Sequence, residues 1–402
     1  MLTTVEPLVV ATRHSCAVCE SSKLETIVDL PNLPLIGRFS KEPAKSFHKG
    51  FDQRLLFCPQ CAHLQLAFQI NPEELYSNQY YFRTSASDNA RRGTAFFLNA
   101  LNEFFPQRQF QCALDVGCND LFLLKQLKSK VRQRVGIDPI WKSQGADCDP
   151  ESSGIEVIGE CIESLNLKDF LKSSPDLIIL RHTLEHIYQP KAVLEKLFNE
   201  ASDGAVVAVE VPSSDALLTR LRFDQIFHEH LQYFSLSSLQ SLIREIGGTF
   251  LGYRENYHDW GAVCVLFTKQ KRSDWNPCPA KDTAKEIKER YTFFRRQMSM
   301  TAEVLEKFKG TKVYGYGASN MLPALAYHLG NDLACLECGL DDDPAKENLY
   351  YWNLPLQIKR PEFVGKFNEA TILLTAIDQA QPILKRLLEN RPKHIIYPTQ
   401  II

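Results

Sequence analysis

Two pairs of cysteines, Cys16-x-x-Cys19 and Cys58-x-x-Cys61, offer chemistry that depends on spacing alone. Each pair can close a tight knuckle whose backbone amides face the sulfurs, and two knuckles can set four thiolates at the corners of a tetrahedron. That donor set encloses zinc with no open position, so one structural zinc per chain is expected. Rubredoxin-type iron would use the same four sulfurs. Cys335 and Cys338 form a third pair with no partner pair on a strand-like run, where core burial is expected. Cys112, Cys118, Cys161 and Cys264 stand singly in apolar segments. Twelve cysteines suit a reducing compartment only as metal ligands or buried thiols.

A second chemistry begins at Asp115-Val116-Gly117-Cys118-Asn119-Asp120, between an apolar strand pattern and a helical one. Gly117 allows a tight turn, and the helix start offers unpaired amides to a ligand. A second strand pattern ends in Asp138, 23 residues after Asp115, where a carboxylate can accept from two ribose hydroxyls. The G-x-G-x-x-G cradle for a dinucleotide pyrophosphate is missing. S-adenosylmethionine (SAM) carries no phosphate and needs one turn, so it is the expected cofactor, with Asp115, Gly117, Asn119, Asp120 and Asp138 around it. Arg181 and His182 end the third of these strand patterns and are expected on the same side. Glu185 and His186 follow them at the start of a helix.

The third cluster runs Phe223-Asp224-Gln225-Ile226-Phe227-His228-Glu229-His230-Leu231-Gln232-Tyr233-Phe234. Two histidines flank a glutamate among aromatics. With only two imidazoles and one carboxylate, proton transfer is favoured over metal binding.

These residues need elements to hold them. Strand patterns at 112–116, 134–138, 177–180, 205–211 and 262–268 alternate with helical stretches at 121–128 and 191–200, which predicts a doubly wound parallel sheet. A long helix is expected from Asp282 to Gly310, with Ile287, Tyr291, Phe294, Met298 and Leu305 on one face. Strand patterns at 312–316, 334–340, 371–376 and 394–396 follow. Short strands at 24–28, 54–57 and 63–68 accompany the cysteine pairs. Three domains are expected, at 1–75, 76–272 and 273–402. In the last, Gly315, Tyr316, Gly317, Ala318 and Ser319 would offer backbone amides to a diphosphate, and Asp341 ends the next strand. The same turn could be half of a nicotinamide site.

Composition narrows the partners. A net charge of −2, with 44% hydrophobic and 23% charged residues, offers no basic field for nucleic acid. No apolar run reaches the ~20 residues of a membrane span. The start of the sequence lacks a signal-like pattern, and a cytoplasmic, monomeric protein is expected.

The pieces CAVC, FCPQC, YYFRTSAS, DVGCNDLFLL, RHTLEHI, EVPSSDALL, FDQIFHEHLQYFSL, YGYGASN and DDDPAK together resemble the sugar C-methyltransferases of deoxysugar biosynthesis. The resemblance runs almost the full length and is most specific over residues 210–236. It implies a small zinc domain, a class I SAM-methyltransferase sheet and a C-terminal Rossmann-like α/β domain that helps hold a dTDP- or GDP-linked 4-keto-6-deoxy sugar. It also implies methylation at C-3. His230 would be the base, Glu229 would hold its tautomer or the sugar, and His186 and Tyr80 would touch the sugar or enolate oxygen. Tyr81, Phe227 and His228 would line the sugar site. The sequence departs from the family in Phe227, where tyrosine is usual, and in Leu121, where glycine usually follows Asn-Asp. The family's histidine after the Ser-x-Ser segment is absent, with Arg91 and Arg92 nearby. An O- or N-methyltransferase and a non-catalytic SAM-binding scaffold are the rival readings.

Overall fold

The computed structural model describes residues 9–43, 50–71, 75, 83–142, 154–256, 261–270 and 275–398. They gather into two compact units, neither of them one continuous stretch. The first combines Met1–Glu25, Leu56–Ala216 and Glu229–Thr283; the second combines Thr26–Leu55, Leu217–His228 and Ala284–Ile402. The expected N-terminal and middle domains thus fall mostly in the first unit. The expected third domain is joined by two excursions, 26–55 and 217–228, from earlier in the chain.

The first unit is built on a seven-stranded sheet. Its strands are β1 (Phe110–Val116), β2 (Val131–Ile137), β3 (Ile155–Ile158), β4 (Leu177–Arg181), β5 (Val206–Pro212), β6 (Thr249–Asn256) and β7 (Ala262–Thr268). They lie in the order β6-β7-β5-β4-β1-β2-β3. The five strands from β5 to β3 run parallel, and β7 and β6 close one side antiparallel. The parallel strands are near-continuous apolar runs because helices cover both faces of such a sheet; Leu177, Ile178, Ile179 and Leu180 are each fully buried. After β1 the chain builds outward through β2 and β3, then returns to place β4 on the other flank of β1. That reversal opens a crevice at the strand ends, where ligands of doubly wound sheets sit. Residues 117–120 follow β1 and residues 182–186 follow β4, so both expected motifs reach this crevice.

Two helices of this unit start as their sequences dictate. In α1 (Asp88–Phe104) Ser87 caps the amide of Ala90. In α2 (Leu236–Glu245) Ser235 and Ser238 form a reciprocal capping box.

The second unit carries a five-stranded sheet of β8 (Val313–Tyr316), β9 (Gly339–Leu340), β10 (Ile358–Lys359), β11 (Thr371–Leu374) and β12 (His394–Ile396). Its order is β10-β9-β8-β11-β12, parallel throughout. The long helix α3 (Ala284–Lys307) buries Ile287, Phe294, Met298 and Leu305, the expected face apart from half-buried Tyr291. The excursions are stitched in: Tyr350–Tyr351 pairs with Phe39–Ser40, and Arg222 binds both Asp224 and Asp378. The strand expected at 334–340 shrinks to Gly339–Leu340. Asn331 and Asp332 accept from the amides of Leu333 and Ala334 at 2.7 and 3.0 Å, and such local turns compete with strand pairing. Cys335 is accordingly half-buried in a turn, while Cys338 is buried.

Candidate active site and metal centre

The four cysteines meet. Cys16 Sγ lies 3.5 Å from Cys61 Sγ, and Cys19 Sγ 3.5 Å from Cys58 Sγ. All four sulfurs fall within 4.8 Å of one another. These separations are far beyond a disulfide bond of ~2.05 Å and suit the edges of a thiolate tetrahedron. Both knuckles share one backbone design. Glu20 donates to Cys16 O at 3.0 Å and Ala62 to Cys58 O at 2.9 Å, and both residues take left-handed φ values, +60° and +56°. Val18 N points at Cys16 Sγ at 3.4 Å. Without a cation the sulfurs cannot all be charged. Hydrogen bonding from Cys16, then Cys61, pulls the Cys58 thiol down to about 2, while bonding to Cys58 pushes Cys16 up to about 12. A dication removes that conflict by drawing off the remaining protons. The site fits structural zinc.

The turn after β1 is tightly held. Gly117 has φ +80°, and a Cβ there would lie 2.1 Å from Thr183 Oγ1, which donates to Val116 O at 2.9 Å. Gly117 N donates to Ile137 O at 2.8 Å. Asp138, at the end of β2, is buried; Oδ2 accepts from Asn119 N at 2.9 Å and Oδ1 from Ile140 N at 3.0 Å. Each oxygen keeps a second acceptor position for a ribose hydroxyl. Burial raises the Asp138 carboxyl, against those two amides. Asp120 accepts from Ser85 N at 2.9 Å. Leu121 sits at φ +64° and is fully buried. Asp115 is buried with Oδ1 unpartnered. Burial, with the charge of Asp138 adding and Arg181 opposing, pushes it up to about 7. An open turn, a ribose acceptor and an orphaned buried acid suit a nucleoside cation without phosphate, which is what SAM is.

Across the crevice, Arg181 binds Glu210 on β5 at the aligned register position. His182 takes φ +50°, with Nδ1 3.5 Å from Glu185 and Nε2 4.0 Å from Glu210. His186 Nδ1 donates to Glu229 O at 2.8 Å. The His186 and His230 rings meet edge to face, with centroids 4.8 Å apart. Glu229 therefore reaches this pair through its main-chain carbonyl, which orients His186. Burial holds His230 well below the usual imidazole range, and His186 and His182 push the same way; it is neutral at pH 7. Thr183, Glu185 and Glu210 were not among the expected site residues. Glu210 leaves one trace in the sequence, an acid inside the apolar run Val-Val-Ala-Val-Glu-Val. Tyr80 and Tyr81 lie outside the described residues.

His228, two residues before His230, belongs to the second unit and is fully buried. Its Nε2 donates to Leu33 O at 2.9 Å, and Nδ1 faces Gln53 Nε2 at 3.4 Å. Both ring nitrogens face protein groups, so its expected place at the sugar gives way to one in the packing. Phe227 is half-buried. The turn after β8 repeats the device of the first unit. Gly317, at φ +97°, donates to Leu340 O at 2.8 Å; Asp341 Oδ2 accepts from Ala318 N at 2.8 Å and Oδ1 from Asp343 N at 2.8 Å. Ser319 N donates to Gly317 O at 2.8 Å. Of the five residues expected to offer amides to a diphosphate, Gly317, Ala318 and Ser319 thus have theirs engaged. Lys346 Nζ binds Asp341 Oδ2 at 3.2 Å and Ala318 O at 3.0 Å, leaving a cation beside it. Gly315 and Tyr316 lie in β8 itself, and the Tyr316 hydroxyl donates to Asp342 at 3.1 Å.

The seven-stranded sheet with its glycine turn and the four-sulfur centre are those of a class I methyltransferase domain behind a zinc domain. Residues 89–250 match the family described as "Methyltransferase domain", and residues 16–76 that described as "Putative zinc binding domain". The C-methyltransferase NovU of Streptomyces niveus is 25% identical over 272 residues, 66% of this chain. The chain spans 63% of the length of that relative. The N-methyltransferase NodS from Bradyrhizobium japonicum, 14% identical, overlaps 45% of this chain and 96% of its own with a TM-score of 0.35. Its complex with S-adenosyl-l-homocysteine gives 13%, 48%, 93% and 0.37. The chain thus carries a methyltransferase domain at residues 89–250 behind a zinc-binding domain at residues 16–76. Among the described residues no helix is long and apolar enough to cross a membrane.

Proposed function

We propose that the protein methylates C-3 of a dTDP- or GDP-linked 4-keto-6-deoxy sugar. The observation that carries this reading is the His186–His230 pair, with His230 kept neutral, in the same unit as the Asp138 turn. A ketone at C-4 acidifies the C-3 proton, and a neutral imidazole can accept it. SAM, when bound, supplies an electrophilic methyl on a sulfonium. His230 takes the C-3 proton and leaves the electron pair in an enolate; bound SAM would supply the methyl group to that carbon, its sulfur keeping the electrons of the broken S–CH3 bond and leaving as a neutral thioether. His186, oriented by Glu229 O, is aimed to steady the enolate oxygen. Asp138 holds the ribose of the cofactor.

The test is C-3 exchange. Wild-type protein given a 4-keto sugar nucleotide in deuterium oxide without SAM should exchange the C-3 proton. His230→Asn should abolish exchange and lower turnover by ~10²–10⁴-fold with SAM binding nearly intact. If wild-type protein exchanges no sugar proton on either nucleotide series, the O- or N-methyltransferase reading takes over.

A further inference from the structure

Glu185 stands immediately before His186 in the short turn after β4. It is 1% exposed, yet neither carboxylate oxygen has a hydrogen-bond partner among the described residues. A buried carboxylate without donors is costly to the fold and marks a place where charge appears during function. One of its oxygens and one ring nitrogen each of His186 and His230 lie within 4.8 Å of one another.

We propose that Glu185 is a positioning residue acting through His230: its buried carboxylate is the counter-charge to the imidazolium formed when His230 takes the substrate proton. The proposal rests on the base role given to His230 above. In that step the carbon–hydrogen bond breaks, the proton forms an N–H bond on His230, and the electron pair stays in the enolate. Glu185 gains and loses nothing; it balances the charge that the proton brings.

The surroundings favour such a pair over either charge alone. Burial pushes the Glu185 carboxyl up and the His230 imidazole down. A proton arriving on His230 sets one positive charge beside the carboxylate already there, and the two compensate each other. Among the described residues, His186, His182, Arg181 and the Tyr233 ring also face the pair. Arg181 is committed to Glu210, and His182 sits 3.5 Å from Glu185 and 4.0 Å from Glu210. Neither histidine can supply negative charge, and Glu229 presents its carbonyl to His186. At ~5 Å and an effective dielectric constant of ~20, a carboxylate favours the imidazolium by roughly 10²–10³-fold.

The experiment uses the full-length, zinc-loaded protein with a dTDP-linked 4-keto-6-deoxy sugar. Glu185→Gln keeps the shape and removes the charge. It should lower kcat and C-3 exchange by about 10²-fold, leave KM and SAM affinity within about twofold, and move the acid limb of the exchange profile to lower pH. Glu185→Asp should recover part of the loss. Unchanged kcat, or a loss with no movement of the acid limb, overturns the proposal. So does a divalent ion beyond the zinc in wild-type protein that Glu185→Gln removes, since the cluster would then be a metal site. Normal exchange in His230→Asn would instead remove the base reading itself.

Discussion

Replacing Gly117 with alanine tests the geometry of the cofactor turn in a way that can be worked out beforehand. A residue with a Cβ at φ +80° costs ~1–2 kcal/mol in backbone strain. The new Cβ would also lie 2.1 Å from Thr183 Oγ1 and about as close as 3.0 Å to Cγ2. Thr183 must then turn away and give up its 2.9 Å bond to Val116 O, losing ~1 kcal/mol. Crowding in a packed crevice adds ~1–3 kcal/mol. Gly117→Ala should therefore destabilise the protein by ~3–6 kcal/mol, and Thr183→Ala alone by ~1–2 kcal/mol. In the double variant the colliding atoms are gone, so its cost should fall short of the sum by ~1–2 kcal/mol. Urea unfolding of zinc-loaded protein gives the four stabilities, and calorimetry with SAM gives the matching affinities. Costs that simply add, or a Gly117→Ala protein as stable as wild type, would refute the reasoning.

Metal analysis should find one zinc per chain, and Cys58→Ser should lose it together with thermal stability; soluble, folded protein without zinc would sink the centre. Asp115 offers a pH test. Its carboxyl stands at about 7 in the fold against ~3.9 unfolded, so the folded state holds the extra proton and this group subtracts stability as pH rises from about 4 to 7. A bound sulfonium favours its charged form, so SAM binding should release a proton near pH 6–7 and tighten as pH rises. Asp115→Asn should flatten that slope in calorimetry across buffers, and an unchanged slope counts against the placement. Leu121→Gly relieves ~1 kcal/mol of backbone strain at φ +64° but forfeits ~2–3 kcal/mol of buried side chain. Thermal unfolding should show a net loss, and a gain would mean that strain dominates.

What the linear pattern showed depended on burial and on local competition. Strands at the centre of a sheet, such as Leu177–Arg181 and Val206–Pro212, advertise themselves as unbroken apolar runs. The edge strand Thr249–Asn256 was not read, because Gly252, Arg254 and Glu255 interrupt it and its pairing slips between Phe250 and Gly252. Both glycine turns were legible, but the hydrogen bonds that close the second one were not. Asp341 on Ala318 N spans 23 residues, a contact that no spacing rule announces. His228 and His230 looked equivalent as neighbours in one aromatic segment. Only the three-dimensional path sets them apart, seating His228 against Leu33 O and Gln53 and His230 against the His186 ring. Glu185 was in view, yet its importance comes from what it lacks, and missing partners leave no mark in a sequence.

The two knuckles have a consequence for how the chain is tied together. Cys19 and Cys58 are 39 residues apart, and Thr26–Leu55 between them helps build the second unit. Zinc therefore works as a clasp across the neck of a loop whose body serves another unit. Closing a loop of that length costs the chain about 3 kcal/mol of entropy, and the metal holds it closed.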